Sequence, residues 1–118
     1  MRWEGYADNA TLREAYRRAA VFVLPSRYEG FGLPVLEAMA SGAPVICGNR
    51  SSLPEVAGDA AVLVDPDETP ALADAILRVL TDPSWAAELR ERGIRQAARF
   101  SWSRAAAETL AAYRRAAE

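Results

Sequence analysis

The stretch Ser26-Arg27-Tyr28-Glu29-Gly30-Phe31-Gly32-Leu33-Pro34-Val35-Leu36-Glu37-Ala38-Met39-Ala40-Ser41-Gly42 decides how the chain folds. Before it stands a short apolar run, Ala20 to Leu24 followed by Pro25, too short for an independent helix and suited to a buried parallel strand. After it comes a helix. Pro34 suits the first helical position and Gly42 the residue just past the end. Between strand and helix, Gly30 and Gly32 let the backbone approach a ligand closely. The N–H groups from Leu33 to Glu37 would face the loop mouth, where a helix start favours an anion. Glu29 precedes that position, and Glu37 falls about one turn into the helix. Two carboxylates beside an anion hole suit a sugar phosphate, with N–H groups for the phosphate and carboxylates for the hydroxyls.

Outward from this stretch, Pro44 to Cys47 and Ala60 to Val64 read as two further strands. A short helix from Leu53 to Ala57 lies between them, with Ser52 and Glu55 at capping-box spacing. Strand, helix, strand, helix, strand predicts an α/β three-layer sandwich with a parallel sheet in sequential order and right-handed crossovers. Ligands on such sheets bind beyond the carboxyl ends of the strands, which is where the Glu29 loop lies. Upstream, Trp3 to Tyr6 reads as a strand or a stub of one. Asp8 or Asn9 is placed to cap a helix through about Ala19, with Thr11 and Glu14 at capping-box spacing. Leu12, Ala15, Tyr16 and Ala19 share its apolar face, and Arg13, Arg17 and Arg18 lie off it. Downstream, Thr69 and Pro70 cap and start a helix through Leu80, with Leu72, Ile76 and Leu80 inward. Asp82-Pro83 begins another through about Phe100, anchored by Leu89 and Ile94. Ser101 caps a last helix from Trp102 to about Ala117.

Composition narrows the chemistry. At 118 residues, 51% hydrophobic and 25% charged, the chain has the makeup of one soluble domain. A net charge of -2 gives no general attraction to nucleic acid or acidic membranes. No apolar run is long enough to span a bilayer, and the first residues carry no signal-peptide pattern. Histidine is absent, which excludes Ser-His and Cys-His nucleophiles and any His-ligated metal. Cys47 stands alone in an apolar run, as a buried and inert thiol in a reducing, cytoplasmic setting. Asp65-Pro66-Asp67 has the D-x-D form of some metal sites. Its place between a strand and a helix start reads as a turn, so no metal and no cofactor are expected.

The stretch "PSRYEGFGLPVLEAMASGAPVI" resembles the donor-binding signature of retaining glycosyltransferases with two Rossmann-like domains (the GT-B fold, glycosyltransferase family 4 or group 1). The shared pattern is E-x7-E, Glu29 to Glu37, with Gly30-Phe31-Gly32-Leu33-Pro34 after the first Glu. The resemblance runs from about Gly5 to about Arg114. It implies that residues 1–118 form the rear half of the C-terminal, nucleotide-sugar-binding domain, a single partial domain. It further implies that Glu29 contacts hydroxyls of the donor sugar near the reacting carbon and is the catalytic candidate. Glu37 is implied to accept hydrogen bonds from the ribose, and Gly30, Phe31, Gly32 and Leu33 to meet sugar and phosphate through the backbone. The plainer readings stand beside these: a solvated loop carboxylate at Glu29, a first-turn carboxylate favouring the helix dipole at Glu37, and a packed ring at Phe31.

The Arg and Lys with which that family holds pyrophosphate belong to the front half, and this chain contains no Lys. The expectation is therefore a nucleotide-diphosphate sugar as partner, with the isolated chain catalytically silent. The alternative is a non-catalytic, self-associating half-domain. Either way, an apolar strand 20–24 without its neighbour predicts a homodimer through that edge.

Overall fold

The computed structural model describes residues 9–27 and 32–100. Along these the order is α1 (Asn9–Arg18), β1 (Phe22–Leu24), α2 (Leu33–Ala40), β2 (Val45–Gly48), α3 (Leu53–Ala57), β3 (Val62–Val64), α4 (Thr69–Thr81) and α5 (Pro83–Ala98). The three strands form one parallel sheet in the order β1-β2-β3. Phe22, Val23 and Leu24 lie opposite Val45, Ile46 and Cys47, and Ile46, Cys47 and Gly48 lie opposite Val62, Leu63 and Val64. The parallel, sequential sheet expected from the three apolar runs is thus present. The Trp3–Tyr6 strand and the Trp102 helix lie outside the described residues, as does Asp8.

The alternation of side chains along a strand builds the layers. Val45 and Cys47 point to one face and join Tyr16, Val35, Leu36, Ala38, Met39, Leu53, Val56 and Ala57 of α1, α2 and α3. Ile46 points to the other and joins Val64, Val79, Ala86 and Leu89, so α4 and the first half of α5 cover that face, and the second half of α5 packs against α2 and α3. All four residues of β2 are buried, whereas β1 is only half-buried throughout. Burying one side chain of the size of Met39 or Leu89 contributes about 1.5–3 kcal/mol. Burial also pushes the Cys47 thiol up to about 11, which keeps it protonated and inert.

Glycine ends α2 as expected. Gly42 adopts φ 85, its N–H donates to the Met39 carbonyl at 3.0 Å, and the Ala43 N–H donates to the Ala38 carbonyl at 3.0 Å. This is a Schellman closure. At the start of α2 the expectation needs correction. Gly32, with φ 80, occupies the N-cap and Pro34 the second helical position. Pro34 has no N–H, and the N–H groups of Val35 and Leu36 donate to the Gly32 carbonyl at 3.1 and 3.2 Å. Of the expected set from Leu33 to Glu37, Pro34, Val35 and Leu36 are thereby withdrawn from an anion.

Several helix readings also shift. Thr11 lies inside α1, and Ser52 makes no side-chain cap bond, so neither capping box forms. Thr69 is within α4 instead of capping it. The side-chain cap that does form is at α5, where Asp82 Oδ1 accepts the Trp85 N–H at 3.1 Å. Ala15 is exposed. Leu80 is 54% and Ile94 51% exposed, although both were expected inward. On α4 the inward stripe is Leu72, Ala75, Ile76 and Val79, and Leu80 falls one step round from it. On α5 the buried positions are Ala86, Leu89, Gly93 and Gln96, which share a stripe that Ile94 leaves. Gln96 is tolerated there because its amide donates to the Val56 carbonyl at 2.9 Å. Among the described residues, no helix is long and apolar enough to cross a membrane.

Candidate functional site

The carboxyl ends of β1, β2 and β3 open onto three loops that form one rim. Where β2 ends, Gly48 lies so close to the β1 loop that a Cβ there would stand 2.4 Å from the Ser26 carbonyl oxygen. Arg27 pairs with Asp67, and Arg50 Nη2 contacts both Asp65 Oδ1, at 3.1 Å, and Asp67 Oδ2, at 3.2 Å. Asp65 also closes the expected turn, since its Oδ1 accepts the Asp67 N–H at 2.9 Å and its carbonyl accepts the Glu68 N–H at 3.0 Å. Both carboxylates of the D-x-D sequence are therefore engaged by arginines. Among the described residues no group of three or more His, Cys, Asp or Glu converges.

Of the residues singled out by sequence, Glu29, Gly30 and Phe31 lie outside the described residues. Gly32 is buried, and a Cβ on it would meet Leu53 Cδ2 at 3.3 Å, so the start of α2 is seated against α3. Leu33 is 46% exposed. Glu37 is exposed on the same side of α2, one turn further on. The Tyr16 hydroxyl donates towards Glu37 Oε2 at 3.5 Å, from a ring that is 7% exposed and packs edge-on to Phe22. Burial first, and the Glu37 carboxylate second, raise the Tyr16 hydroxyl above its ordinary value, so it remains a donor. Glu37 and Tyr16 flank an open groove of about 510 Å³ between α1 and α2, which Leu12, Leu33, Leu36 and Phe100 also line.

Sequence reasoning placed Tyr16 in the core and missed its hydroxyl, because face periodicity says nothing of what a ring's far end reaches. The pairing of Arg27 and Arg50 with Asp65 and Asp67 leaves no signature in the sequence either. A second depression, of about 560 Å³, is lined by Gly58, Asp59, Arg92, Arg95, Gln96 and Arg99. There Arg92 is paired with Glu88 and Arg95 with Glu91, so its positive charge is largely answered from within α5.

A parallel sheet in sequential order, with helices packed on both of its faces, defines a Rossmann-like half-domain. The chain belongs to the family of group 1 glycosyl transferases, whose family model matches residues 1–100. It is 46% identical over 114 residues to the O-antigen chain mannosyltransferase B of Escherichia coli, covering 97% of this chain and 30% of that one. It is 42% identical over 102 residues to the MMP alpha-(1->4)-mannosyltransferase of Mycolicibacterium hassiacum, covering 83% and 25%. Among solved structures it superposes on a sucrose-phosphate synthase from Thermosynechococcus elongatus with a TM-score of 0.86 at 38% identity, covering 98% of this chain and 30% of that one. It also superposes on the C-terminal domain of a group 1 glycosyl transferase from Francisella tularensis, with a TM-score of 0.70 at 31% identity, covering 80% and 49%. The chain thus spans less than a third of either curated relative.

Proposed function

We propose that this chain is the rear half of the nucleotide-sugar-binding domain of a retaining glycosyltransferase. The parent reaction breaks the bond between the sugar's anomeric carbon and the nucleotide diphosphate and joins that carbon to an acceptor hydroxyl, with its configuration retained. The start of α2 supports this reading: the left-handed Gly32 caps it after β1, and one turn further on Glu37 is exposed and lines the groove between α1 and α2. A carboxylate there can accept two adjacent ribose hydroxyls at once. In this reading Glu29 contacts the donor sugar as the catalytic candidate, and Gly30, Phe31, Gly32 and Leu33 offer backbone to sugar and phosphate. The names of the curated relatives favour a mannosyl donor. No metal or cofactor is assigned, and a lone buried thiol suits the cytoplasm.

The isolated chain is expected to bind without turning over, since the pyrophosphate clamp and acceptor wall come from elsewhere in the family's fold. Guanosine or uridine diphosphate at about a hundred times its Kd should stabilise the chain by about 2.7 kcal/mol. In a thermal melt that is a rise on the order of 10 °C. Glu37→Gln should remove most of the rise. A melt indifferent to both nucleotides at millimolar concentration would sink the assignment.

A second reading, self-association as a homodimer, is favoured by β1. Among the described residues it pairs with β2 alone, and its residues stay half-buried. A bare parallel-sheet edge is a template for another strand, and two copies could join antiparallel about a two-fold axis. Sedimentation at micromolar concentration should then show a dimer, and Val23→Glu should leave monomer or aggregate. A folded monomer from the unaltered chain would refute it.

A further inference from the structure

We infer that Asp67 is a positioning residue: through Arg27 it fixes the point at which the chain enters the loop that carries Glu29. The significance of that loop rests on the donor-site reading above; the restraint itself does not.

The described residues on either side of 28–31 are both tied down. On the far side, Gly32 is buried against Leu53 and Val56 of α3, where even a single added carbon would crowd Leu53. On the near side, the Ser26 carbonyl lies against Gly48 of the central strand, and the next residue, Arg27, reaches Asp67 on the loop after β3. The Asp67 carboxylate is shared. Its Oδ1 takes Arg27 and its Oδ2 takes Arg50, which in turn holds Asp65. Asp67 is itself held in place, because its own N–H is bound by Asp65 Oδ1 within the turn. One carboxylate therefore joins the loops following β1, β2 and β3.

Arg27 is largely exposed, at 72%, and Arg50, Asp67 and Asp65 are each less than half exposed. An exposed ion pair contributes little to global stability, on the order of 0.2–1 kcal/mol. Its effect is local, on how often the first residues of the loop leave their position, and such local openings are read by amide exchange. The geometry separates this role from a structural one. The sheet's own core lies in the buried apolar clusters of both faces, which the four charges do not enter.

Hydrogen–deuterium exchange on the whole chain tests this at the five amides of residues 28–32. In Asp67→Asn, exchange there should rise about fivefold, the upper end for a half-exposed pair. Amides of β2 and the thermal midpoint should stay as in the unaltered chain, and Asp67→Glu should return exchange at 28–32 to that of the unaltered chain. Raising salt should speed exchange in the unaltered chain and not in Asp67→Asn. Unchanged exchange at 28–32 in Asp67→Asn would overturn the proposal, as would a rise shared equally by β2. Should Asp67→Asn fail to fold, Arg27→Gln at a largely exposed position carries the same expectation. A separate arm adds guanosine or uridine diphosphate. If neither slows exchange at 28–32, the donor-site reading falls, while an effect of Asp67 would stand.

Discussion

Gly48→Ala is expected to lower the unfolding free energy of the chain by about 3 kcal/mol or more, the severe end of overpacking. The added Cβ would lie 2.4 Å from the Ser26 carbonyl oxygen, and the atom it meets is backbone. A flexible side chain could swing aside, but Ser26 is held by Leu24 in the sheet on one side and by the Arg27 ion pair on the other. Relief would require β1 and β2 to part at their carboxyl ends, within the three-stranded sheet of the described residues. Against a typical total of about 5–15 kcal/mol this is a large share. Gly42→Ala provides the comparison. There the φ of 85 strains an alanine, but space is open, with Ile94 Cδ1 at 3.9 Å as the nearest atom. That substitution should cost about 1–2 kcal/mol from backbone conformation alone. Urea unfolding of both variants decides. A Gly48→Ala midpoint equal to that of Gly42→Ala, or closer to the unaltered chain, would show that the β1 loop yields easily.

The second large effect concerns turnover. In a longer group 1 glycosyltransferase carrying this segment unchanged, Glu29→Ala should reduce kcat more than Glu37→Ala does. The proposed role of Glu29 is at the reacting sugar, where charge develops, so its loss falls on the transition state. The proposed role of Glu37 is at the ribose, bound alike before and during reaction, so its loss should fall on KM. A charge-assisted hydrogen bond contributes roughly 1.5–3 kcal/mol, so each loss should be on the order of 10- to 150-fold in kcat/KM. Steady-state rates at several donor concentrations separate the two patterns. Equal losses in kcat from both variants, with KM unmoved, would contradict the division of roles.

The sheet was legible because three apolar runs, each bounded by turn residues, have few other ways to be buried in a chain of alternating strands and helices. The strand starts came out one or two residues early, and β2 runs one residue past Cys47. Ala20 and Ala61 look apolar but sit in the connections, and Pro44 serves only as an acceptor, its carbonyl bonding the Phe22 N–H at 2.8 Å. The faces of α4 and α5 were misread where size was preferred to period. Leu80 and Ile94 are large and exposed, while Gly93 and Gln96 are turned in. Gly93 is buried because α2 passes so close that a Cβ would stand 3.2 Å from Met39 Cγ. Gln96 is buried because a bare carbonyl at Val56 needs a donor. Neither need is visible in a helical wheel.

At the candidate site, Glu37 and Gly32 could be placed because motif and helix start are neighbours in sequence. The Arg27–Asp67 pair spans 40 positions and two strands, and nothing local to either residue announces it. The Tyr16 hydroxyl meets Glu37 across 21 positions in the same way.

The central claim, that the start of α2 with Glu37 holds a nucleotide diphosphate, is tested most directly by amide chemical shifts of the isotopically labelled chain during titration with guanosine or uridine diphosphate. The account predicts that the shifting amides cluster from Glu29 to Glu37, with smaller changes at Tyr16 and at Arg50, and that Glu37→Gln weakens the response. Shifts confined to the arginine-lined depression around Arg92, Arg95 and Arg99, with residues 29–37 unmoved, would contradict it.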